Sequence, residues 1–119
     1  MGQRGRVGEG VVGVEGGTAY ACSTSLAMGL IGGKWKSVLL YHLLDGERRF
    51  SELRRLARPI SERTLSLQLK QLEADGLVSR HVYVERAPMR VSYRLTARGE
   101  TARAAVLAMA AWGRAVAEG

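Results

Sequence analysis

The sequence is poor in several residue types, and each shortage excludes a class of protein. It has one cysteine, Cys22, so no disulfide can form within a single chain. Its longest wholly apolar run is Ala104 to Trp112, nine residues, far short of the ~20 that cross a bilayer. No apolar core follows the N-terminal charges, which speaks against a secretory leader and for a cytoplasmic protein with no membrane partner. The two histidines, His42 and His81, lie far apart in sequence and suggest no metal site; no cofactor is expected. His42 falls on an apolar stripe and reads as a core residue. Nothing in the chain forms a catalytic constellation, so an enzyme is not expected.

Acidic residues are also scarce. Eleven Asp and Glu face 18 Lys and Arg, giving a net charge of +7 and a pI near 10.3. Such a balance points to an anionic partner: nucleic acid, acidic lipid or an acidic protein. The length, 119 residues, suits one domain with a core of its own. Hydrophobic residues are 46% and charged residues 24%, a globular balance. Seven glycines fall in residues 1–17, which read as a flexible tail carrying Arg4 and Arg6, with the folded domain over 18–119. Gly8 to Gly13 matches a dinucleotide-binding string but has no strand before it or helix after it. Gly29 to Lys34 is like a phosphate loop one residue short, with Trp35 where a Ser or Thr should hold magnesium.

The remaining chain has strong periodicity. Leu26 and Leu30 predict a short helix over 24–31, broken by Gly32-Gly33. A second helix is expected over 34–44, with Trp35, Val38, Leu39, His42 and Leu43 as its stripe and Asp45-Gly46 as its turn. Ser51 is a candidate cap for a third, with Leu53 and Leu56 inward and Arg54 and Arg55 outward; Arg58-Pro59 stops it. Ser61 caps a fourth, built on Leu65, Leu69 and Leu72, with Gly76 just past its end. Two short helices joined by a tight turn form a helix-turn-helix unit.

After Gly76 the period becomes two. Val78, Arg80, Val82 and Val84 alternate with Ser79, His81 and Tyr83; then, past Ala87-Pro88, Val91, Tyr93 and Leu95 alternate with Ser92 and Arg94. This hairpin has the position of a wing. Thr96 then caps one long helix to about residue 117. The expected fold class is α+β, mostly α: a winged helix-turn-helix with N- and C-terminal dimerisation helices.

Placing residues 61–75 on a helical wheel, with the leucines inward, turns Arg63, Thr64, Leu67, Lys70, Gln71 and Ala74 outward. The first turn of a recognition helix reaches base edges. Ser61, Arg63, Thr64, Leu67 and Gln68 are therefore the candidate base readers: arginine suits guanine, threonine is versatile, and leucine can pack on a thymine methyl. Arg49, Arg54, Lys70, Arg80, Arg86 and Arg90 are the candidates for phosphate and wing contacts, with Arg86 at the wing tip suited to a minor groove. A lone surface arginine or leucine is commonly just solvated; the clustering carries the reading. Residues 104–112 are apolar almost all round, whereas a helix that only covered its own core would keep a polar face. Val106, Met109, Trp112 and Val116, with Leu26 and Leu30, are the candidate interface of a homodimer; burial within one subunit is the alternative.

Several strings resemble the HxlR-type winged helix-turn-helix regulators of the MarR-like superfamily. They are Leu30-Ile31-Gly32-Gly33-Lys34-Trp35, Arg49-Phe50-Ser51-Glu52-Leu53-Arg54-Arg55, Thr64-Leu65-Ser66, Leu69-Lys70-Gln71-Leu72-Glu73, Asp75-Gly76-Leu77-Val78 and Tyr93-Arg94-Leu95-Thr96. The resemblance runs from about Cys22 to Gly113. It implies a homodimer that binds an inverted repeat in double-stranded DNA as a transcription regulator, a repressor more often than an activator. It also implies a role for Cys22, which stands where relatives carry a thiol that senses oxidants or small-molecule electrophiles. A helix N-terminus would favour the thiolate there; a packing cysteine is the alternative. The competing functional class is a general nucleic-acid or RNA-binding protein without sequence specificity.

Overall fold

The computed structural model describes residues 13–15, 17–84 and 89–119. Strands β1 (Gly13–Glu15) and β2 (Thr18–Tyr20) form an antiparallel hairpin packed on helix α1 (Ser23–Ile31). Residues 13–15 were expected in the flexible tail. Glycine-rich sequence reads poorly as strand, and here the contact with α1 outweighs propensity.

Helix α2 is Lys36–Leu43, followed by β3 (Arg48–Arg49), α3 (Phe50–Leu56) and α4 (Glu62–Ala74). Strands β4 (Val78–Tyr83) and β5 (Arg90–Leu95) follow, then α5 (Ala97–Glu100) and α6 (Arg103–Glu118). The fold is α+β, mostly helical, with the antiparallel sheet order β3-β5-β4. The register pairs His81 with Ser92 and Tyr83 with Arg90, while β3 meets β5 at Tyr93 and Ser92. This is the winged helix-turn-helix expected from the pattern.

The core is a leucine cluster. Leu39, Leu40, Leu43, Leu53, Leu65, Leu69, Leu72 and Val78 are fully buried. Truncating one such leucine to alanine costs about 2–5 kcal/mol. Helix α2 sits at the centre, touching α1, α3, α4, β5 and α6. That position buries Leu40, which the predicted stripe omitted, and leaves His42 only half-buried. His42 lies edge-on to Tyr41, and burial, then Arg48, holds its pKa below the usual range.

Three further expectations need correcting. Helix α3 begins at Phe50, so Ser51 is not its cap; Glu52 Oε1 instead accepts from the backbone N–H of Arg49 at 2.9 Å. Its inward residues are Leu53 and Ala57, and Leu56 is exposed. In a helix of seven residues, two apolar positions do not fix the rotation. Lastly, the single C-terminal helix is two. Thr96 caps α5 as expected, its Oγ1 accepting from Gly99 N at 3.0 Å. A Cβ on Gly99 would collide with the Leu77 carbonyl oxygen, so only glycine lets α5 rest against the start of β4. The Thr101 hydroxyl then donates to the Arg98 carbonyl, and a tight turn separates α5 from α6.

Candidate nucleic-acid interface

Helix α4 presents one face to solvent above its buried leucines. Its N-cap is Ser61, whose Oγ accepts from Thr64 N at 3.0 Å and donates to Thr64 Oγ1 at 3.0 Å. Two of the five candidate readers are thus bonded to each other, and the serine hydroxyl serves the helix end. Thr64 and Gln68 are half-buried, whereas Arg63 and Lys70 are exposed. Neither of these cations has an ion pair or hydrogen bond among the described residues. Leu67 is 52% exposed, as the wheel placed it. At the far end, Gly76 adopts φ +77°, a left-handed turn suited to glycine, and its carbonyl accepts from Thr96 Oγ1 at 2.6 Å. This bond ties the end of α4 to the base of the wing.

Glu62 sits in the first turn, where an acid would oppose DNA. It faces Arg54 Nη1 of α3 at 3.9 Å. Both side chains are more than half exposed, so the pair contributes little stability. Arg49 at the end of β3 and Arg54 and Arg55 on α3 are exposed. The joint between α3 and α4 is an open groove of about 480 Å³ lined by Arg54, Arg55, Arg58, Ser51, Pro59 and Ile60. Arg58 was absent from the candidates; it lies past the end of α3, where no helical spacing pointed to it.

On the wing, Arg80 and Arg90 are exposed. Arg86 and the Ala87-Pro88 turn lie outside the described residues. The face bearing Ser79, His81 and Tyr83 is not simply solvated. Tyr83 Oη donates to Glu47 Oε2 at 2.8 Å, Arg94 Nη1 lies 3.6 Å from Glu47 Oε1, and Ser92 is 4% exposed. Ser92 lies within this cluster. The Tyr83 hydroxyl is the main group holding the Glu47 carboxyl below its usual pKa, with Ser92, Arg94 and His81 assisting, and Glu47 pushes the Tyr83 phenol up in return.

Cys22 is exposed at the N-cap of α1. The Ser25 and then the Thr24 backbone N–H lower its thiol pKa, helped by the side chains of both. The helix terminus carries the effect.

The proposed interface residues divide. Val106 is 2% exposed and belongs to the core of its own subunit, while Leu26 and Leu30 are half-buried. Met109, Trp112 and Val116 are exposed, Trp112 at 72%, and Leu107 and Met28 extend the apolar surface. Helix α6 is anchored at its start, where Arg103 Nη2 donates to the Leu44 carbonyl at 3.0 Å. Among the described residues no helix is long and apolar enough to cross a membrane.

Comparison with known proteins adds an independent line. A family model described as HxlR-like helix-turn-helix matches residues 30–119. The HTH-type transcriptional regulator YybR of Bacillus subtilis is 48% identical over 92 residues, 77% of this chain and 73% of that protein. The redox regulator HypR in its oxidized form aligns with a TM-score of 0.75 at 47% identity, over 79% of this chain and 96% of that one. The reduced form of the transcriptional regulator YodB from B. subtilis aligns with a TM-score of 0.66 at 34% identity, over 76% of this chain and 89% of that one. These relatives are transcriptional regulators, a non-enzymatic class.

Proposed function

Because the chain belongs to the HxlR-like helix-turn-helix family of transcriptional regulators, we propose that it acts in the cytoplasm as a homodimeric repressor that reads an inverted repeat in duplex DNA. The observation that carries this reading is α4 itself. Arg63, which has no ion pair or hydrogen bond among the described residues, and a half-exposed Leu67 stand on its outer face, flanked by the arginines of α3 and of the wing strands. Arg63 and Leu67 contact bases, with Thr64 and Gln68 beside them, while Ser61 supports the helix end. Arg49, Arg54, Lys70, Arg80 and Arg90 bind phosphate, and Arg86 enters the minor groove. Met109, Trp112 and Val116, with Leu26 and Leu30 at the margin, pair the subunits. Two recognition helices then meet half-sites about 34–36 Å apart.

Cys22 is the regulatory group. An oxidant removes two electrons and two protons from two thiols to join two subunits, or one thiol adds to an electrophile. The lowered thiol pKa and the likeness to the redox regulator HypR support this role.

The test is selection of bound duplexes from a random pool by the full chain, followed by affinity measurement at equal salt. An enriched inverted repeat bound at least 100-fold more tightly than scrambled duplex is expected, with Arg63→Ala relaxing the preference. Equal affinity for all duplexes across salt concentrations would instead establish a general nucleic-acid binder. Equal responses of wild type and Cys22→Ser to diamide would remove Cys22 from the mechanism.

A further inference from the structure

The wing leaves the body of the domain as a two-stranded ribbon. Strand β3 accompanies β5 only at Tyr93 and Ser92, while the β4–β5 pairing continues outward to Tyr83 and Arg90. A two-stranded ribbon alone is marginally stable and strongly twisted, so its ladder does not fix where it points. One contact does reach its outer end. Tyr83 is the last residue of β4, directly opposite Arg90, and its hydroxyl crosses back to Glu47 at 2.8 Å. Glu47 lies in the short connection between α2 and β3. The second oxygen of the same carboxylate faces Arg94 of β5 at 3.6 Å. The register puts Ser92, Arg94, His81 and Tyr83 on one face, so the carboxylate spans both wing strands.

We propose that Glu47 is a positioning residue for DNA binding. It braces the wing ribbon against the end of α2 and so sets where the wing arginines meet the backbone. This inference rests on the wing-to-phosphate reading above. Its consequence runs against simple charge counting. Glu47 is an acid on a basic, DNA-facing domain, and its removal should tighten binding if only net charge mattered. A brace predicts the opposite.

The full chain is measured against a 30-base-pair duplex carrying the repeat selected from the random pool, over a range of salt concentrations, as wild type, Glu47→Ala, Tyr83→Phe and Arg90→Ala. Tyr83→Phe changes no charge at neutral pH and deletes only the hydroxyl. Both brace variants are expected to weaken binding roughly tenfold and to flatten the plot of log K against log salt by about one phosphate contact. Their melting temperatures should stay near wild type, because the leucine core is untouched. If Arg90→Ala weakens binding and flattens the slope while Tyr83→Phe matches wild type and Glu47→Ala binds as tightly or more tightly, the brace is overturned and the wing reading stands. If Arg90→Ala changes neither affinity nor slope, the wing reading fails and takes the brace with it.

Discussion

Ser61 can be assigned to the fold or to DNA reading by a small set of substitutions. Its Oγ accepts the Thr64 N–H at 3.0 Å, so alanine at 61 leaves a free N–H at the start of α4. Losing such a cap costs about 1 kcal/mol, whereas glycine costs only a few tenths. For a domain near 100 residues, 1 kcal/mol lowers the melting temperature by roughly 4–8 °C. Aspartate also caps well and suits the helix dipole, so Ser61→Asp should melt close to wild type. The same aspartate adds a negative charge at the DNA face and should bind worst of all. Capping therefore predicts a stability order of Ser and Asp, then Gly, then Ala, and a binding order that ends with Asp. The assay is thermal melting followed by circular dichroism at one fixed protein concentration, since dimerisation makes the midpoint concentration-dependent, paired with duplex affinity at fixed salt. A Ser61→Ala midpoint within about 1 °C of wild type, together with an altered base preference, would refute the argument and return Ser61 to the reading surface.

The remaining predictions concern the two ends of the domain. Trp112→Glu should weaken self-association by at least ~2 kcal/mol, roughly thirtyfold, measured by sedimentation, because it replaces an exposed indole with a charge at the proposed interface. A variant with unchanged dimerisation would move the interface off α6. Alkylation of Cys22 by iodoacetamide should rise with pH and level off earlier than for a free cysteine peptide, since the first-turn N–H groups favour the thiolate. Coincident pH profiles would show that the α1 terminus does not activate the thiol.

What was legible in the sequence is what one element decides by itself. Leu65, Leu69 and Leu72 with a Ser61 cap define α4 through a repeat of 3.6 and a local hydrogen bond, and both are present. The exposure of Leu67 follows from the same wheel. Features settled between elements were not legible. Strand β3 is two arginines whose pairing is determined by β5. The rotation of α3 depends on which side meets α2, which put Ala57 rather than Leu56 in the core. Val106 looked like an interface residue because apolarity does not say whether the core or a partner covers it. The bond from Tyr83 to Glu47 joins residues 36 apart, and no periodicity records such a separation.

The contrast between the two tryptophans has a practical consequence. Trp35 packs against the core with the Lys34 ammonium 5.1 Å from its ring centroid, whereas Trp112 stands in solvent on α6. The isolated subunit should therefore emit as two populations, one partly shielded from aqueous quenchers and one open to them. If α6 meets its counterpart, the open population alone closes. Iodide quenching then reads subunit pairing directly, at nanomolar concentration and without a dye, while Trp35 serves as the internal standard in the same cuvette.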